Sequence, residues 1–221
     1  MQQGLHQHRE IIMNTNPCTA SVPLIAALMV ATIVGLSTAG AHEGHHDVAK
    51  AVDAIRAAAA RYADVNVALA EGFIPDPSGH CVDAAMAGLP AEVGAMGIHY
   101  MNMARLGVTT DTPRVDGHGI HTDFREPAIL LYEPQADGSL ELVGVENLVF
   151  EKAWLAAGHD GPPKLVGRDW DHMADDPATQ GDEAHGFEPH FDHHVWLRKN
   201  PAGDLMPFNP TVTCAHAHHT H

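Results

Sequence analysis

Ala128-Ile-Leu-Leu-Tyr-Glu133 and Leu140-Glu-Leu-Val-Gly-Val-Glu-Asn-Leu-Val-Phe150, joined through Asp137-Gly138, decide the fold. Both runs are rich in branched and aromatic residues, and an Asp-Gly pair between two such runs signals a tight turn. An antiparallel hairpin is therefore expected. Alternation along the second run sends Leu140, Leu142, Gly144, Glu146 and Leu148 to one face. A carboxylate among leucines needs a cation or hydrogen bonds, so Glu146 is the acid to watch. The bland alternative is a strand buried on both sides, with Glu146 paired to Arg105, Arg125 or Arg168.

A third strand is expected in Glu188-Pro-His-Phe-Asp-His-His-Val-Trp-Leu-Arg198. Alternation turns Phe191, His193, Val195 and Leu197 to one side, and Asp192, His194, Trp196 and Arg198 to the other. Asp192 and His194 then stand ~6–7 Å apart along the strand. His190 lies ~13 Å from His194 on a regular strand, and joins it only across a bend at Pro189.

Upstream, Val48, Val52, Ile55, Ala59, Tyr62 and Leu69 recur at helical spacing, which predicts one long helix over 47–71. Asp47 would cap its start and Gly72 would end it. In Gly94-Ala-Met-Gly97-Ile-His99-Tyr100 the glycines suggest close approach of a neighbouring strand. His99 is either a ligand or a hydrogen-bonded core histidine. Met206 to Cys214 is expected as an edge strand, because its prolines cannot donate to a central ladder. The fold class that follows is α+β: a long N-terminal helix packed on a mainly antiparallel sheet of about five strands, in one domain (47–214) with long loops.

Residues 22–36 are almost wholly apolar and are followed by Ala39-Gly-Ala41, the pattern of a signal peptide (1–41) cleaved after Ala41. The expected location is the periplasm or outside the cell, with no stable membrane anchor after cleavage. Cys81 and Cys214 remain as a pair in an exported chain, so a disulfide is expected. The formal charge of −16 with neutral histidines repels nucleic acid and anionic lipid, and both are set aside as partners. Oligomeric state is not readable.

The chain holds 19 histidines. His42-Glu-Gly-His-His46 formally matches H-E-x-x-H, which acts as a zinc site only on a helix. At a chain end with a glycine inside it, the stretch reads as a tail (42–46). There His42, His45 and His46 chelate weakly, and a terminal amine would favour copper. His216, His218, His219 and His221 form a similar tail (215–221).

Gly94-Ala-Met-Gly-Ile-His99-Tyr100, Leu130-Leu-Tyr-Glu133, Leu142-Val-Gly-Val-Glu146, His190 through Trp196 and Asn209-Pro-x-Val-x-Cys214 occur in this order. Together, over roughly 55–214, they resemble an uncharacterised family of exported bacterial proteins with no established activity. The resemblance implies export and a single domain. It coincides with His99, Glu146, His190 and His194, and it implies an apolar residue, often leucine, at position 193. Histidine at 193 is a departure and argues against a ligand role there.

Three functions are consistent with these residues. The first is a metal-binding protein that holds copper or zinc through His99, Glu146, His190 and His194, with Asp192 in reserve. The second is a metal-dependent hydrolase or oxygenase at the same site, with Tyr100 or Glu133 carrying protons. The third is a binding or structural protein without metal. No serine-nucleophile motif, phosphate loop or dinucleotide fingerprint is present.

Overall fold

The structure is a computed structural model that describes residues 39–179 and 182–217. The signal-peptide segment up to residue 38 lies outside the described residues, as do His218, His219 and His221. In chain order the helices are α1 (Ala39–Ala59), α2 (Val65–Ala70), α3 (Met103–Leu106) and α4 (Glu151–Ala156). The strands are β1 (Ile74–Pro75), β2 (Cys81–Asp83), β3 (Ala95–Met101), β4 (Val108–Thr110), β5 (Asp116–Gly117), β6 (Ile129–Pro134), β7 (Leu140–Phe150), β8 (Lys164–Leu165), β9 (Arg168–Asp169), β10 (Asp171–Met173) and β11 (His190–Trp196). No helix among the described residues is long and apolar enough to cross a membrane.

Helices and antiparallel sheet are both present, and the sheet dominates. The long helix expected over 47–71 is interrupted. α1 ends at Ala59, a 3-10 turn spans Ala60–Ala63, and Asp64 caps α2 by accepting a hydrogen bond from the Asn66 amide at 2.9 Å. A short acid that caps a new helix competes with continuation of the old one. Ile55, Ala59, Tyr62 and Ala68 reach one core on both sides of the break, whereas Leu69, expected on the same face, is exposed. The helix also begins earlier than expected, so residues 42–46, read above as a tail, are helical backbone.

Seven strands form the main sheet, in the order β1-β3-β6-β7-β11-β10 with β2 also paired to β3. The β6–β7 hairpin is its centre. Their register shifts between Leu131 and Tyr132: Leu131 faces Gly144, but Tyr132 faces Leu142. That bulge leaves Val143 as the extra residue and breaks the alternation expected for β7. Leu140 and Leu142 pack on the helix side, whereas Val143 and Leu148 pack on the other side. Glu146 therefore does not share a face with Leu140 and Leu142. From Val143 to Phe150 the strand is buried on both faces.

The helix side of the sheet packs Val52, Ile55, Ala59 and Tyr62 against Leu130, Tyr132, Val145, Val149, Phe191 and Val195. The opposite side packs Met101, Leu106, Ile129, Leu131, Leu148, Phe150 and Trp196. Close backbone approach occurs at both Gly97 on β3 and Gly94 just before it, to a neighbouring strand only at Gly97. A Cβ on Gly97 would lie 2.6 Å from the Tyr132 carbonyl oxygen on β6, and one on Gly94 would lie 2.0 Å from that of Asn209.

Residues 206–214 do not form the edge strand anticipated above. Asn209 makes a single bridge to Ala95. Pro207 and Pro210 have no amide to donate, and the Asn209 side chain turns back to its own chain, accepting from the Thr211 amide at 2.9 Å. The segment is a strap, fixed to β2 by the Cys81–Cys214 disulfide.

Candidate metal centre

Three side chains from three strands converge on the face opposite the helix. His99 stands on β3, Glu146 on β7 and His194 on β11. His194 lies directly across from Glu146 in the ladder. One nitrogen or oxygen from each lies within 4.8 Å of the others. Glu146 Oε2 is 3.2 Å from His99 Nε2 and 3.4 Å from His194 Nε2. A tetrahedral ion with bonds of ~2.0–2.1 Å has ligand–ligand edges of about 3.4 Å, so the two carboxylate–imidazole distances fit such an ion.

Strand order explains why no local pattern reveals this meeting. β6 lies between β3 and β7, so His99 and His194 sit three strand spacings apart, ~14 Å in a flat sheet. Their ring centroids are nevertheless 6.5 Å apart, so the two rings lean toward each other over Glu146.

The electrostatics favour an ionised acid between two imidazoles. Burial alone would raise the Glu146 pKa, but His194 and His99 outweigh it and lower it. Burial would lower His99, yet the Glu146 carboxylate, with Asp76 behind it, raises it. Burial lowers His194, against the pull of Glu146. Both His194 ring nitrogens are buried and make no hydrogen bond, and Glu146 Oε2 meets only the two imidazoles. Buried lone pairs without partners are rare and demand an explanation, and a bound cation supplies one.

The arginine alternative for Glu146 fails. Arg105 donates to the Pro127 carbonyl, Arg125 pairs with Asp123, and Arg168 pairs with Asp171. His190 and Asp192 share the site's face of β11, but β11 is regular from His190 onward. Neither residue enters the 4.8 Å cluster, so the condition set for His190, a bend at Pro189 that carries it to His194, is not met. His193 points to the helix side, between Phe124 and Trp170.

Tyr100 also faces away from the site, edge-on to Tyr132 at 4.9 Å. Glu133 is held by Arg198 at 2.6 Å and by the Thr213 amide at 2.7 Å. Neither is placed to carry protons for this centre. His46 is exposed on α1, and His216 lies in the strap beyond Cys214. Sequence reasoning missed Asp171, which lies across from Asp192 on the edge strand β10. Its three-residue strand is lost in an acid-rich stretch and gave no signal. A surface cleft of about 420 Å³ lined by Trp154, His159 and Lys164 contains none of these residues.

No known family model, curated protein or solved structure matches this chain.

Proposed function

We propose that the protein is an exported metal-binding protein that holds zinc or copper through His99, Glu146 and His194. The observation that carries the reading is the buried convergence of two imidazoles on one carboxylate, whose oxygen lies 3.2 and 3.4 Å from the two ring nitrogens. Two nitrogens and one carboxylate oxygen suit zinc or copper and do not suit calcium. Export is supported by the apolar run 22–36 and by the disulfide, which persists in oxidising compartments.

Metal analysis of the purified, untagged chain tests this. A tightly held zinc or copper ion should survive dialysis against a weak chelator. His194→Ala and Glu146→Gln should each lower affinity by more than ~100-fold, since even residues that only support ligands are worth ~10–100-fold. His216→Ala should change little. An ion retained equally by the first two variants, or none in the parent, would end the proposal.

A second reading, a metal-dependent enzyme, is favoured by the ligand count. Three protein ligands leave a fourth position open. It would open past His99, whose side chain is 14% exposed against 3% for His194. Azide should shift the visible spectrum of the cobalt(II)-loaded protein if that position exchanges, and should leave it unchanged if the centre is closed.

A further inference from the structure

We propose that His190 and Asp192 hold a second divalent cation beside the three-residue centre, so that this face of the sheet binds a pair of ions. The inference rests on the reading of His99, Glu146 and His194 as a cation site.

His190 is oriented as a ligand. Its Nδ1 lies 2.9 Å from the Glu188 carbonyl oxygen. A carbonyl only accepts, so Nδ1 carries the proton and the neutral ring presents its lone pair at Nε2. A ring nitrogen fixed in this way by a backbone carbonyl is the usual support of a metal-binding imidazole. The residue is 3% exposed, with its ring against Phe187 at 5.5 Å.

Nε2 faces Asp192 Oδ2 at 3.9 Å. That is too long for a hydrogen bond. It is within the ~4.2 Å that two ligands of one ion can span with bonds of ~2.1 Å. Among the described residues, Asp192 receives no hydrogen bond and pairs with no arginine or lysine.

Position excludes a shared ion. His190, Asp192 and His194 follow one another on one face of β11, opposite Phe150, Leu148 and Glu146. Each step is ~6–7 Å, so the His190–Asp192 pair lies one step along from the first centre. A single ion in the first centre would not touch His190, which stands outside the 4.8 Å cluster. Asp192 is the acid on this face left without a basic partner, since Asp171, across from it, pairs with Arg168. One nitrogen and one carboxylate, completed by water, suit zinc, manganese or iron(II).

Zinc stoichiometry of the full chain, equilibrated in chelator-buffered zinc, decides the matter. The parent should hold two tight ions, and His190→Gln and Asp192→Asn one each. The histidine-rich ends are common to all three proteins and drop out of the difference. Copper(II) loading adds a second readout: paired ions should broaden the parent's electron paramagnetic resonance, and either variant should restore a narrow single-ion spectrum. If His190→Gln fails to fold, Asp192→Asn carries the comparison. One ion in the parent and in both variants overturns the second position and leaves the first centre standing. Loss of a sole ion in His190→Gln makes His190 a ligand of the first ion and also overturns the pair. No ion in any protein overturns both readings.

Discussion

Replacing His193 by leucine is expected to stabilise the protein by about 1–3 kcal/mol at neutral pH, and by more in acid. His193 is 0% exposed, and neither ring nitrogen makes a hydrogen bond. Each orphaned buried polar atom costs ~1–3 kcal/mol. Its ring lies parallel to Trp170 at 6.2 Å and edge-on to Phe124 at 6.1 Å. Losing those contacts costs ~0.5–1.5 kcal/mol, less than the two orphans cost together. Leucine fills a similar volume without polar atoms.

The pH dependence has a definite sign. Burial, with His194 and Arg168 adding to it, pulls the His193 pKa down to about 3. In the unfolded chain it returns to ~6.5. Above that value neither state is protonated and the group contributes nothing to the pH dependence. As pH falls from ~6.5 toward ~3, the unfolded chain gains a proton that the folded protein refuses, and the parent loses stability. The leucine variant has no such loss. The gap between the two proteins should widen by about 2–3 kcal/mol from pH 7.5 to 4.5. Urea midpoints at the two pH values measure it, and other titrating groups cancel in the difference. A variant no more stable than the parent at pH 7.5, with the same acid shift, would refute the account.

The double variant Cys81→Ser, Cys214→Ser should be less stable by roughly 3–5 kcal/mol. The disulfide spans 133 residues of sequence, and a loop of that length loses ~5 kcal/mol of closure entropy in the chain model. For a domain of this size the thermal midpoint should fall by roughly 8–15 °C. Damage should concentrate where the bond acts. Cys81 lies across from Ile98, the neighbour of His99, and the strap it holds touches the sheet through the Asn209–Ala95 bridge. Reduction of the parent protein should reproduce the shift. A midpoint within about 2 °C of the parent would show that the strap is held by packing alone.

The hairpin was legible because two apolar runs flanked an Asp-Gly turn. The bulge at Val143 was not, since an extra residue in an apolar strand leaves no mark on composition. Glu146 was singled out on a partly mistaken premise. Leu140 and Leu142 lie on the other face, but the strand is buried on both sides, so the acid is sequestered either way. The faces of β11 followed from strict alternation, which no bulge disturbs. Which histidines meet could not follow from spacing, because His99 must lean across β6 to reach Glu146. The interruption of the helix rests on one capping residue, Asp64, whose effect is hidden when residues on both sides of it face a common core.

His99, Glu146 and His194 are remote from one another in sequence, and each belongs to a different strand of one sheet. The trio exists only after β3 has docked on β6 and β11 on β7, both non-local pairings that form slowly. A nascent chain offers His99, Glu146 and His194 singly, so an ion gains little from these three until the sheet is complete. A cation captured at that last stage should leave the refolding rate nearly unchanged and slow unfolding, acting as a latch closed after assembly rather than as a seed for it.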